Sequence, residues 1–246
     1  MEFFHALLTL DGWIALLTLT LLEIVLGVDN IIFISILAAK VRKEEQRKTR
    51  NTGLLLALVT RILLLLGIGW IVSLKSDVFI LFGNGYSWRD IILILGGLFL
   101  MYKSVTEIHS KVSGVDEEVE QTTKASVRGV ILQIILIDVV FSFDSILTAV
   151  GIVDELVIMI LAVIIAMIVM ILFAKAISDF INERPTIKMI ALAFLLTIGL
   201  MLVLEGYGEE VPKGYIYFAM VYALLVEFLN IRMRKNQEKK KKGTAA

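Results

Sequence analysis

Four carboxylates stand inside stretches of this chain that are otherwise apolar. Glu23 and Asp29 fall in the run from Trp13 to Ala39, and Asp138 and Asp144 fall in the run from Val127 to Val150. A carboxylate at the centre of a membrane helix costs about 2.5–3.5 kcal/mol on insertion scales, so four impose a load on the order of 12 kcal/mol. Residues of this kind face a bundle interior or a wet cavity, and they mark ion paths or proton relays. With Thr18, Asn30, Gln133 and Ser145 beside them they form a set of hard oxygen donors, suited to Mg, Ca or Mn rather than to copper or zinc. The chain has no cysteine, which removes disulfide frameworks, thiolate metal sites and Cys nucleophiles.

The four acids belong to a duplication. Leu22-Glu23-Ile24-Val25-Leu26-Gly27-Val28-Asp29-Asn30 and Ile137-Asp138-Val139-Val140-Phe141-Ser142-Phe143-Asp144-Ser145 align at a constant offset of 115 residues. Acid faces acid twice, Asn30 faces Ser145, and Thr18 faces Gln133.

The elements that must carry these residues are membrane helices. Of 246 residues 58% are apolar, against about 45–50% in a soluble domain. Seven stretches approach the length of about 20 residues that a bilayer core requires. They run from Trp13 to Ala39, Thr52 to Leu74, Asp90 to about Ile108, Val127 to Val150, Leu156 to Ala174, Met189 to Leu204 and Tyr215 to about Ile231. The third is short in apolar residues, and loop charge decides it. With seven spans, 20 Lys and Arg lie on one side and 3 on the other, with Arg61 inside a span. Dropping the third span reverses that bias to 7 against 16 and contradicts the positive-inside rule. The expected architecture is therefore an all-α membrane protein of seven transmembrane helices, N-terminus outside and C-terminus in the cytoplasm.

Three helices separate the two acidic motifs, so the motifs cross the membrane in opposite directions. This predicts an inverted 3+3 repeat, with repeat one over about 13–108, repeat two over about 127–205, and a seventh helix over about 215–231. The single transmembrane domain, 1–231, is followed by a basic cytoplasmic tail, 232–246. Inverted repeats of this type place a substrate site near the midplane where they meet. Glu23 is the eleventh residue counted from Trp13 and Asp138 the twelfth from Val127, so both fall near mid-bilayer.

Residues six apart on an unbroken helix point about 120° away from each other. For Glu23 and Asp29 to aim at one ion, their helix must be interrupted. Gly27 is the expected break, and Ser142 a weaker one in the second copy. Without breaks, the acids form two layers along a path. Arg61 is a candidate counterion or gate for these acids. Glu227 and Asn230, near the cytoplasmic end of the seventh span, read as an interfacial pair. Pro185 and Pro212 fall in expected loops. Met159, Met167 and Met170 have the spacing of packed or lipid-facing surface. The acidic segment Val115 to Glu120 reads as a solvated loop.

At these motifs, and at Val211-Pro212-Lys213-Gly214-Tyr215-Ile216-Tyr217-Phe218-Ala219 and Val226-Glu227-Phe228-Leu229-Asn230, the sequence resembles the TerC family within the broader LysE-like group of transporters. The likeness runs from Trp13 to about Asn230. It implies seven helices with an inverted three-helix repeat, and export of manganese from the bacterial cytoplasm through the plasma (inner) membrane. The family's acidic quartet maps onto Glu23, Asp29, Asp138 and Asp144. Asn30 and Ser145 map as flanking polar groups, and the pattern gives Glu227 and Asn230 added weight. A membrane-only form is implied.

The expected function is thus a secondary transporter, not an enzyme, with Mn²⁺ as transported substrate ahead of Ca²⁺ or Mg²⁺ and no organic cofactor. The carboxylates freed of metal could carry protons in the other direction. No phosphate-binding loop of the G-x-x-x-x-G-K-[ST] type is present. The expected partners are a divalent metal ion, membrane lipids and, compatibly with the sequence, further copies of the chain. Balanced charge, 24 basic against 24 acidic residues, gives no reason to expect nucleic acid. The rival reading is a membrane scaffold or chaperone linked to metal or tellurium resistance, with the acids as hydrogen-bonding glue between helices.

Overall fold

The computed structural model describes residues 9–74, 77–81, 84–113, 125–153, 155–209 and 212–244. The acidic segment 115–120 lies outside them. Among the described residues, seven helices are long and apolar enough to cross a membrane. We number the elements α1 (Leu10–Ala38), α2 (Lys43–Leu66), α3 (Ile68–Ser73), β1 (Asp77–Leu81), β2 (Asn84–Ser87), α4 (Trp88–Ser113), α5 (Val127–Val150), α6 (Leu156–Asn182), α7 (Pro185–Gly206) and α8 (Lys213–Thr244).

Local chemistry sets the ends. The Thr9 side chain accepts from Gly12 N at 3.1 Å and caps α1. The α4 start is a capping box. Asp90 Oδ2 accepts from Ser87 N at 2.8 Å, while Ser87 Oγ accepts from Asp90 N at 3.3 Å. Helix α2 begins nine residues before the expected span, because Lys43 to Arg50 are good helix formers with Glu44 and Glu45 favourably placed in its first turn. It ends at Gly67, so the stretch expected as one span to Leu74 is split into α2 and the short α3. Pro185, expected in a loop, is the first residue of α7, where its missing N–H has no intrahelical partner to lose. Helix α8 runs on to Thr244 instead of stopping near Ile231.

One feature is not helical. Strands β1 and β2 form an antiparallel hairpin with Phe79 opposite Tyr86 and Leu81 opposite Asn84. Tyr86 meets Tyr207 edge-to-face at 6.2 Å, which fastens the hairpin to the end of α7.

Helix α1 packs chiefly on α6, α2 on α5 and α6, and α4 on α7, while α8 lies at the periphery against α7. On α1, α2 and α5 the buried apolar residues divide into two clusters. Leu16, Leu19, Leu65, Phe143 and Ile146 pack at the hairpin end. Ile31, Phe33, Leu54, Ala57, Ile134 and Ile137 pack toward the opposite end. Glu23, Arg61 and Asp138 fall in the gap between the two clusters on all three helices.

Candidate functional site

Each of these three helices delivers one charged side chain to the gap. Glu23 on α1, Arg61 on α2 and Asp138 on α5 are 3%, 3% and 2% exposed. Arg61 Nη1 lies 2.7 Å from Glu23 Oε2. On its other side Arg61 Nε donates to Asp138 Oδ1 at 3.2 Å, and Nη2 stands 3.2 Å from the same oxygen. Asp138 Oδ2 accepts the Ser142 hydroxyl at 3.2 Å and the Thr60 hydroxyl at 3.5 Å. Two carboxylates from the duplicated motifs thus share one guanidinium, and hydroxyls from α2 and α5 complete the layer.

Three residues in each motif fall on one helical stripe at spacings of four and three. Glu23, Gly27 and Asn30 form the first, and Asp138, Ser142 and Ser145 the second, all of them buried. The stripes are not equal. Ser145 donates to Ser142 O at 3.3 Å, whereas neither amide atom of Asn30 finds a hydrogen-bond partner among the described residues.

Both helices are unbroken, contrary to the expected interruptions at Gly27 and Ser142. Gly27 serves packing. A Cβ there would sit 2.4 Å from Met170 Sδ, so the missing side chain makes room for α6. Ser142 holds Asp138 instead of loosening the backbone. Continuity leaves the two-layer arrangement. Asp29 and Asp144 are helical residues six positions on from Glu23 and Asp138, about 9 Å along their axes. Because α1 and α5 run oppositely, these positions fall on opposite sides of the Glu23–Asp138 layer. Their side chains lie outside the described residues.

Other expected residues fall elsewhere. Thr18 is exposed and Gln133 half-buried, neither reaching the layer, because they point away from the stripes that carry the acids. Glu227 is buried on α8, where it accepts the Thr186 hydroxyl and, at 3.4 Å, the Asn230 amide. Met159, Met167 and Met170 are packed interior. Thr60 was not anticipated, although a threonine beside an arginine within an apolar run was a readable signal. Glu107, nine-tenths buried on α4 and paired with Lys40 at the end of α1, was also missed.

Among the described residues the space at the layer is small. A cavity of about 10 Å³ touches Glu23, and one of about 20 Å³ is bordered by Arg61, Ser145 and Tyr217, each room for one water at most. Among the described residues no group of three or more Asp, Glu or His side chains could hold a metal ion.

Comparison with known proteins places the chain. Residues 8–242 match the integral membrane protein TerC family. A "UPF0053 protein" of Haemophilus influenzae is 48% identical over 226 residues, covering 92% of this chain and 95% of that protein. The "UPF0053 inner membrane protein YgdQ" of Escherichia coli K12 is 49% identical over 227 residues, covering 92% and 95%. The "UPF0053 inner membrane protein YoaE" of the same organism is 44% identical over 225 residues, covering 91% of this chain but 43% of that larger protein. No solved structure matches the chain.

Proposed function

The chain belongs to the TerC family of integral membrane proteins, and from that premise we propose that it is a secondary transporter exporting a divalent cation, Mn²⁺, from the bacterial cytoplasm. Its close E. coli relatives are named inner membrane proteins, and this chain is an integral protein of that membrane. The observation that carries the reading is the charged layer itself. Glu23 and Asp138 occupy equivalent places in a duplicated motif, meet in the membrane interior, and are sealed from both ends by apolar packing. Among the described residues Arg61 is the base that pairs with them, and with both carboxylates ionised one negative charge is left over. Asp29 and Asp144 bring the acids of the two motifs to four. A dication is the natural complement to such a surplus, and hard oxygen donors suit Mn²⁺.

Helix packing fits an internal two-fold. Exchanging α1 with α5, α2 with α6 and α4 with α7 turns the α1–α6 contact into α5–α2 and leaves α4–α7 unchanged, which is the pairing present. With the N-terminus outside by the positive-inside rule, the cation reaches the layer from the Lys40 end and leaves at the hairpin end as one repeat rocks against the other. Asp29 and Asp144, one on each side of the layer, mark the approach and the exit. Carboxylates released from the metal are the groups that carry protons back.

The scaffold reading is favoured by one observation: Arg61 ties α1, α2 and α5 together as glue would. Uptake of radioactive manganese into inside-out vesicles under a pH gradient, with calcium and magnesium as competitors, separates the two. Accumulation above protein-free vesicles is expected. Asp29→Asn or Asp144→Asn, which keep shape but delete charge, should reduce it by about tenfold or more, since an interaction of 1.4 kcal/mol with the ion suffices for that. No accumulation under any gradient rejects export.

A further inference from the structure

Arg61 occupies the place a cation would take. It comes from α2, outside the duplicated motifs, yet its guanidinium lies between their two carboxylates, 2.7 Å from Glu23 and 3.2 Å from Asp138. A guanidinium stays protonated under all physiological conditions, so it cannot leave the pair by losing charge. It can leave only by moving. Two features permit that. Asp138 keeps its Ser142 and Thr60 hydrogen bonds through its other oxygen, so the carboxylate stays oriented without Arg61. Arg61 also borders the cavity of about 20 Å³ shared with Ser145 and Tyr217, which is too small for the guanidinium and marks the side on which packing beside it is incomplete.

We propose that Arg61 is a tethered stand-in for the transported cation: it offsets one of the two carboxylate charges of Glu23 and Asp138 while the site is empty and is displaced when the dication binds. This rests on the transport reading above and assigns one residue to one half of its cycle. The empty carrier can reorient only with that charge offset in place, whereas the loaded carrier does not need the arginine. Arg61 is therefore required for net transport and dispensable for exchange of metal on one side for metal on the other.

The test uses the full-length protein in proteoliposomes, with radioactive manganese as probe. Net uptake under a pH gradient and isotope exchange at equal manganese concentrations are measured for wild type and Arg61→Gln. Net uptake by the variant should fall by about tenfold or more while exchange stays within about threefold, the signature of a lost counter-charge with intact donors. If both fall together in a variant that elutes like wild type, Arg61 is structural glue and the proposal is overturned, while wild-type flux keeps the transport reading. Unchanged net uptake also overturns it. Absence of both fluxes in wild type removes the transport reading and this proposal with it. Should Arg61→Gln fail to fold, Arg61→Lys decides. A retained ammonium should keep net uptake within about tenfold of wild type if charge is what matters, and a larger loss overturns the proposal.

Discussion

The charged layer and the α4–α7 contact lie in the same bundle and are built by opposite means. Around the layer, α1, α2 and α5 meet through long ionic side chains, with Glu23, Arg61 and Asp138 almost fully buried. Between α4 and α7 the backbones touch. A Cβ on Gly97 would lie 2.4 Å from Gly199 O, one on Gly199 would lie 2.9 Å from Gly97 O, and one on Gly206 would lie 2.7 Å from Asp90 O. Charge enters that contact at one end, where Arg89 meets Glu205. In lipid, where no hydrophobic force draws helices together, close approach of small residues is a main source of association. A contact made by backbone has one geometry. A contact made by three rotatable charged side chains has several, at the expense of buried charge. The difference suits α4–α7 to be the frame, and the ionic layer is the part that the proposed transport cycle requires to rearrange.

The comparison breaks most sharply at Gly97. Gly97→Leu has no room against the backbone of α7 and should cost about 3 kcal/mol or more, seen as loss of monodisperse protein on size-exclusion chromatography. A stable Gly97→Leu would remove the frame from this account. Next comes Gly27→Ala, where the obstacle is the flexible tip of Met170 rather than backbone. We expect about 1–3 kcal/mol from thermal unfolding in detergent, partly recovered in the double variant with Met170→Ala. Lack of recovery would mean that α1 and α6 do not meet there. Smallest is Lys175→Gln, which breaks an exposed i,i+4 pair with Asp179 at 2.6 Å. A change within about 0.5 kcal/mol is expected, and a larger one would extend the ionic machinery to the surface of α6.

Much of the helical plan was legible because hydropathy over 20 residues is a strong, local signal. Span four was bounded correctly at both ends, and span five at its start. The hairpin was not foreseen, since Val78 to Leu81 is too short for periodicity to speak. The early start of α2 and the late end of α8 escaped because hydropathy finds the lipid-embedded part of a helix, whereas Lys, Glu, Gln and Arg extend helices into water. At the site, Glu23 and Asp138 were selected by the expense of placing carboxylates in a bilayer. Thr18 and Gln133 were selected by offset alone, and offset does not report which face of a helix looks inward.

Sequence alone determined that the chain lives in a membrane, that its acidic motif is doubled, and that these acids are too unfavourable in lipid to be incidental. Those are properties of single segments and of the solvent around them. Only the tertiary structure decided that Arg61 stands between the two copies, that Gly27 admits a methionine instead of breaking its helix, and that apolar clusters close the layer at both ends. Such facts depend on which helix faces lie against one another, and packing between segments distant in sequence leaves no local trace in the order of the residues.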